Sequence, residues 1–369
     1  MPKTPASPLR VLLIGCGGIV TNAHLRAFKE FPGKLRLAVA CDPSPQARES
    51  VAGSLPDRYA VETEADYETA LSKHGNRVDA ALVTTPHHLH FPQARACVEA
   101  GLPVLVEKPV CLNLAETRQL MALARERRVL VVAGLNRRYE RAALWARRWI
   151  REDPTNFGQL RSFDLRGWQN IEAWIADKPD RKADFWILDK ERAGGGVVVS
   201  LLVHYIDMVR HLTGLDFVDV SARGRSDPPF RNGAESSCCA LLRLSNGAVG
   251  TMHADYLARK CLQPHEVINL IGEHGYLGNE QGWKYASTRG GEPGGWDWQY
   301  EGMEHVPEDP TLSPSPFSFT SQLLAFADAV RNGTLPWNHI EDTFNTMAVI
   351  EAIYTSMRHN GAAVTVATS

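Results

Sequence analysis

The sequence has no surplus of positive charge, no long apolar run and no paired-cysteine motif, and each absence closes off a class of function. Lysine and arginine number 40 against 42 aspartates and glutamates, a formal net charge of −2. Neither nucleic acid nor an acidic membrane surface finds a counter-charged partner in such a chain. The run Arg125-Glu126-Arg127-Arg128 closes a helical segment, where cations suit the helix dipole. No apolar run approaches the ~18 residues that cross a bilayer. The opening MPKTPASPLR passes into a strand with no twin arginine and no apolar signal core. The seven cysteines, at 16, 41, 97, 111, 238, 239 and 261, are odd in number and never spaced C-x-x-C. That pattern predicts reduced thiols in a cytoplasm, with neither a disulfide framework nor a cysteine metal site. Cys238 and Cys239 are adjacent and are expected on opposite faces of a strand.

What is present is an ordinary globular composition, 44% hydrophobic and 22% charged over 369 residues, a length that suits two domains. In the N-terminal third the runs 10–15, 35–42, 78–85, 103–108 and 129–136 are short and rich in Val, Leu and Ala, without period-2 alternation. Strands buried on both faces read this way. Helical segments separate them, the clearest over 113–128, where Asn113 caps and Glu116 completes a capping box. Strand–helix alternation predicts an α/β fold with a doubly wound parallel sheet over residues 1–137.

Ligands of such sheets sit outside the C-terminal strand ends. Those ends read Gly15-Cys16-Gly17-Gly18, Asp42, Thr84-Thr85-Pro86, Glu107-Lys108-Pro109 and Asn136-Arg137-Arg138. The first is a G-x-G-x-x-G variant with Val20 in the third glycine's place. Gly15 permits the turn, and Gly17 lets a pyrophosphate approach the backbone at a helix N-terminus. Asp42 is placed to accept bonds from ribose hydroxyls and to repel a 2′-phosphate, so NAD is favoured over NADP; the competing reading makes it the first residue of the turn in DPSP. The expected cofactor contacts are Gly15, Gly17, Gly18, Ile19, Asp42, Thr85, Pro86, His90, Glu107, Lys108, Asn136 and Arg137. The cluster His87-His88-Leu89-His90 lacks a carboxylate or cysteine at ligand spacing, and it reads as a helix start rather than a metal site.

Beyond residue 138 the strands lengthen and alternate, at 160–168, 238–256 (broken at Asn246-Gly247) and 266–277, with hairpin turn signals between them. An α+β domain with a large open, mostly antiparallel sheet is expected over 138–369. Within it, three glycines at 194–196 precede a helix that sets Ser200, His204, Asp207 and His211 along one stripe. A lone histidine on a helix is more often structural than catalytic, and the spacing alone does not decide otherwise.

The ordered series GCGGIV, CDPSPQAR, TTPHHLH, VLVEKPV, GLNRRYE and GGGVVVSLLVHYID resembles the glucose–fructose oxidoreductase/inositol dehydrogenase/MocA family over nearly the whole chain. The E-K-P triplet and the G-G-G…H-x-x-D block are the most specific parts. The resemblance implies NAD(P)-dependent oxidation or reduction of sugars, cyclitols and related polyols. It also implies that Lys108 and His204 form the catalytic pair, reaching the substrate carbinol from the two domains, with Asp207 holding the histidine ring. Ser200, Trp168 and Tyr256, with Arg161 and Asp255, are candidate sugar contacts. Two departures stand out. Ser200 occupies a place where many dehydrogenases of the family have Asp, and His87 one where Asn is common. Competing readings are a glycosidase that oxidises its substrate transiently and an NAD-binding regulator without turnover. An open sheet needs a cover, so a homodimer or homotetramer through the second domain is expected.

Overall fold

A computed structural model describes residues 7–56, 61–176, 185–257, 265–280, 282–287 and 303–368. Two compact units emerge. The first runs to Tyr139 and takes back Pro314–Phe344; the second is Glu140–Ser313 with the segment from Asn345 onward.

The first unit holds a six-stranded sheet of β1 (Leu9–Ile14), β2 (Leu35–Cys41), β3 (Glu62–Glu64), β4 (Ala80–Val83), β5 (Val104–Glu107) and β6 (Val131–Gly134), in the order β3-β2-β1-β4-β5-β6. Every pairing is parallel. The order reverses between β1 and β4, the switch point where doubly wound sheets bind their ligands. β1, β4, β5 and β6 are almost wholly buried, as their unbroken apolar runs require. The sequence reading missed β3, because its exposed Glu-Thr-Glu carries no apolar signal. Asn113 caps the helix Leu114–Arg127, accepting from Glu116 N at 2.9 Å. The return bond of Glu116 comes from Leu112 N rather than from the cap residue.

The helix Ser318–Asn332 belongs to this unit because Leu323, Leu324, Phe326 and Ala327 complete its core. The edge strand β6 is covered by the same returning segment. Ala133 N donates to Asn338 O at 2.9 Å, and Ala133 O accepts from both Gln322 Nε2 and Asn338 Nδ2. Covering an edge in this way blocks further strand addition.

The second unit is built on a nine-stranded sheet: β7 (Leu160–Trp168), β8 (Phe217–Arg225), β9 (Ser237–Leu244), β10 (Val249–Asp255), β11 (His265–Gly272), β12 (Gly275–Gly278), β13 (Lys284–Ser287), β14 (Glu304–His305) and β15 (Val364–Thr365). Its order is β14-β13-β12-β11-β7-β10-β9-β8-β15, antiparallel except for β10 against β7. β9 alternates strictly, with Cys238 buried and Cys239 exposed, as their adjacency predicts. The buried face lies against the helix Val203–Thr213 and the turn before it. A Cβ on Gly167 would meet Leu201 and Tyr205 at 3.0–3.2 Å, so the strand approaches that element as closely as backbone allows. The other face exposes Leu241, Val249 and Ile271.

One stretch, Lys190–Thr213, is long and apolar enough to cross a bilayer by length and composition, which corrects the expectation that no run approaches that size. Its most apolar window is 89% buried inside the folded chain, as suits a core helix.

Candidate active site

Gly15 leaves β1 with φ +97°, a left-handed value that favours glycine. A Cβ there would also sit 2.9 Å from Thr84 C and Thr85 Cγ2. The turn is fastened on both sides: Gly15 N donates to Cys41 O at 2.8 Å, and Gly15 O accepts from Thr84 Oγ1 at 2.7 Å. Gly17 has no heavy atom within 4 Å of where its Cβ would stand, and Gly18 and Ile19 are exposed beside it. The chain then enters a π-helical turn, Val20–His24, that continues as the helix Leu25–Glu30. Val20, at the third glycine's place, is buried and points into the core. Open backbone followed at once by a helix start makes a cradle that fits a dinucleotide pyrophosphate.

Asp42 begins the turn, as one sequence reading has it, and its position at the end of β2 leaves the other reading open. Its Oδ1 accepts from Ser44 N and its Oδ2 from Cys16 N, each at 2.8 Å, so it begins the turn and also ties the glycine loop to the end of β2. Each carboxylate oxygen retains a second lone pair for a ribose hydroxyl. Thr85 is half-buried beside Pro86 and donates to Gln93 Oε1 at 2.6 Å. Asn136 and Arg137 follow β6, Asn136 buried with Nδ2 donating to Ser318 Oγ at 2.7 Å and Arg137 half-buried.

Two expected cofactor contacts turn inward instead. Glu107 is buried, and its Oε1 meets His24 Nε2 at 2.8 Å while its Oε2 accepts from Lys108 N at 3.2 Å. A Cβ on Gly134 would lie 2.7 Å from Glu107 Cα, so it is glycine in β6 that leaves space for the inward-turned carboxylate. His90 is 0% exposed, with both ring nitrogens against backbone carbonyls. Its polar atoms are already engaged, so any effect on a cofactor passes through the loops it holds. Lys108 stands at the end of β5, half-buried, with a cis peptide to Pro109.

In the second unit Ser200 is buried within a π-helical turn, Val198–Leu202, that feeds the helix Val203–Thr213. The expected α-helical stripe therefore starts only at His204, which is half-buried; Asp207 and His211 follow it in regular helix. Single π turns inside helices occur often at functional sites. Asp207 is buried and accepts from Thr346 Oγ1 at 3.1 Å. Trp168 ends β7 half-buried, edge-on to His253. Tyr256 is 2% exposed and stacks on Phe230, which corrects its reading as a sugar contact: the ring packs in the interior. Arg161 is exposed and ion-paired with Glu273 at 2.7 Å, and Asp255 Oδ1 caps Leu257 N at 2.6 Å; both have surface or turn roles.

A residue the sequence reading missed organises this region. Glu235 is 2% exposed, and its Oε1 accepts from Gly196 N at 3.0 Å, Val198 N at 2.9 Å and Tyr354 Oη at 3.0 Å. Its backbone carbonyl accepts from Val197 N at 2.9 Å. A Cβ on Gly196 would fall 1.9 Å from that carbonyl oxygen, and one on Gly195 would fall 1.7 Å from the Tyr354 hydroxyl. The glycines exist for this approach. Burial pushes the Glu235 carboxyl above its ordinary range, against the pull of its donors. The only sequence signal was the glycine pair, which announces a close neighbour without naming it.

Among the described residues no group of three His, Cys, Asp or Glu is placed to hold a metal ion. Family models match residues 9–135, as the NAD-binding Rossmann fold of an oxidoreductase family, and 172–366, as the C-terminal alpha/beta domain of the same family. The chain belongs to the Gfo/Idh/MocA oxidoreductase family. Its first domain is the family's NAD-binding domain.

Among the family's curated relatives, myo-inositol dehydrogenase Hyg17 of Streptomyces leeuwenhoekii is 30% identical over 78% of this chain and 83% of its own length. Levoglucosan dehydrogenase of Pseudarthrobacter phenanthrenivorans is 27% identical over 67% of each chain. Two others, from Amycolatopsis mediterranei and Ensifer adhaerens, align over only 52% and 56% of their own length. Solved structures share the fold. Levoglucosan dehydrogenase with NADH and levoglucosan superposes at TM-score 0.84, 21% identity, covering 98% of this chain and 100% of that one. An oxidoreductase domain protein from Kribbella flavida gives 0.83 at 23% identity with the same coverage.

Proposed function

We propose that this Gfo/Idh/MocA oxidoreductase transfers a hydride between NAD and a carbinol carbon of a sugar, cyclitol or related polyol. The observation that carries the proposal is Lys108, half-buried at the end of β5, on the same rim of strand ends as the open Gly15–Gly18 turn. Relatives named for levoglucosan and myo-inositol support a ring polyol as substrate class. NAD, when bound, accepts or returns the hydride. The chain's own residues handle the proton: Lys108 and His204 are the acid–base groups, and Asp207 holds the His204 ring. Ser200 and Trp168 are the substrate contacts in this reading, and Gly15, Gly17, Gly18, Ile19, Asp42, Thr85, Pro86, Asn136 and Arg137 the cofactor contacts.

The protein is further proposed to be a cytoplasmic homodimer or homotetramer. Six described cysteines are free thiols, in keeping with a reducing compartment. The exposed Leu241, Val249 and Ile271 on the uncovered sheet face favour a second copy as cover.

Incubating the protein with NAD⁺ and a panel of sugars and cyclitols, while following nicotinamide absorbance and glycoside cleavage, tests the reading. Absorbance rising with one member supports it. Cleavage without net absorbance change identifies transient oxidation instead, and silence in both channels rejects turnover.

Two substitutions refine the assignment. Asp42→Ala should narrow the preference for NADH over NADPH, because the carboxylate repels a 2′-phosphate; tighter NADPH than NADH binding by the unaltered protein would contradict the role. Ser200→Ala should lower turnover only modestly, whereas His204→Asn should lower it by about 10²-fold, the scale of a lost acid–base group. Equal losses in the two variants would give Ser200 a role of its own.

A further inference from the structure

His90 begins the helix His90–Glu99 and is fully enclosed. Its Nδ1 lies 2.7 Å from Pro109 O, and its Nε2 lies 2.7 Å from Thr85 O. Both oxygens are backbone carbonyls and only accept. A neutral imidazole carries one N–H and one bare nitrogen. In that form one contact would set a nitrogen lone pair against a carbonyl lone pair, in a place closed to water. Turning the ring over does not help, because it would put carbons at these positions, and C–H···O contacts sit at about 3.3–3.6 Å. A ring with both nitrogens protonated satisfies both carbonyls at once.

The charges around the ring act in both directions. Glu107 is the nearby anion, held by His24 Nε2 on its other side, and Lys108 is the neighbouring cation. The ring of His87 lies 5.5 Å away, centroid to centroid. Burial, the largest influence, and the charge of Lys108 hold the His90 pKa below its ordinary value against the two carbonyls and Glu107, which raise it, so the case for a charged ring rests on the two short contacts to carbonyl oxygens. Loss of either N–H would break one of two ties between the ends of β4 and β5, the loops that carry Thr85 and Lys108.

We propose that His90 is a buried imidazolium that pins the Lys108–Pro109 corner to the Thr85–Pro86 turn and, as a like charge held against that corner, biases the lysine amine toward the neutral, proton-accepting form. His90 is thus a positioning residue, and the second half of the proposal rests on the reading of Lys108 as a proton-transfer group. The repulsion is reciprocal, since two cations that disfavour each other's charge do so equally.

The first test needs no substrate. Protein labelled with ¹⁵N-histidine, with and without NAD, is observed by NMR near neutral pH, and the His90 signals are assigned by their loss in His90→Gln or His90→Asn. Two protonated nitrogens of similar shift are expected; one protonated and one bare nitrogen would overturn the proposal. The second test follows single-turnover hydride transfer against pH. His90→Gln keeps one donor but no charge, so the acidic limb should move to higher pH by about one unit, with NAD affinity near the unaltered value. A lower rate with the limb unmoved would show a merely structural residue and would overturn the charge effect. If no carbinol is turned over at all, the functional assignment falls, while the NMR signature still decides the charge of the ring.

Discussion

Replacing Lys108 with methionine is expected to lower the rate of hydride transfer by about 10²–10⁴-fold, the range of a lost general acid–base group, while leaving the fold and most NAD affinity intact. Methionine keeps the length and apolar stem of lysine and removes the amine. In the proposed reading the pyrophosphate lies on the Gly15–Gly18 turn and the ribose on Asp42, so neither depends on the substituted side chain. Glu107 does not compete for the role, because its carboxylate is turned inward onto His24. The backbone at Lys108 is fixed by its own N–H bond to Glu107 Oε2 and by the tie between Pro109 O and His90. The backbone that carries the amine is therefore held in place. Single-turnover measurement after NAD binding has been verified by fluorescence provides the check, and a near-normal rate would return Lys108 to the status of a strand end.

Glu235→Ala should destabilise the second unit by about 3 kcal/mol and lower activity with it. The substitution strips an acceptor from Gly196 N, Val198 N and Tyr354 Oη, three donors enclosed where water does not reach them easily. Those bonds fix the start of the π turn, and hence the direction of the helix that carries His204. Glu235→Gln retains an acceptor oxygen of the same shape and should cost roughly 1 kcal/mol. Urea unfolding of the three proteins measures the ordering, and a Glu235→Ala protein as stable as its parent would dismiss the anchoring role. The pH dependence has a definite sign. The carboxyl is pushed upward by burial, so the folded chain holds that proton more tightly than the unfolded one. Its contribution is most favourable below the ordinary carboxyl range and is lost as pH rises through the folded-state value. The advantage of the parent over Glu235→Gln should shrink accordingly on going from acid toward neutral pH.

Much of the first unit was legible because its signals are local. Unbroken apolar runs predict strands buried on both faces, and β1, β2, β4, β5 and β6 appear within a few residues of those runs. Gly15 is legible for a similar reason, since a left-handed turn selects glycine by its own backbone sterics. The alternation over 160–168 and 238–256 likewise gave β7, β9 and β10, because one covered and one open face impose a period of two.

What the sequence determined by itself was therefore element type, strand ends and the residue types that collect there, together with a resemblance that pointed to Lys108 and His204. Partnership was decided only by the tertiary structure. An amphipathic helix such as Ser318–Asn332 announces that one face is buried but not against which core, and it went to the first unit rather than the second. The same holds for polar side chains. Glu107 and His90 stand in the sequence among residues expected to face the cofactor, yet one turns to His24 and the other to two carbonyls, while Glu235 finds the glycine turn from 39 residues away. Backbone preference acts over a few neighbouring residues and can be read from them. The hydrogen bonds and close approaches that place a buried charge join distant segments, and they exist only once the chain has brought those segments together.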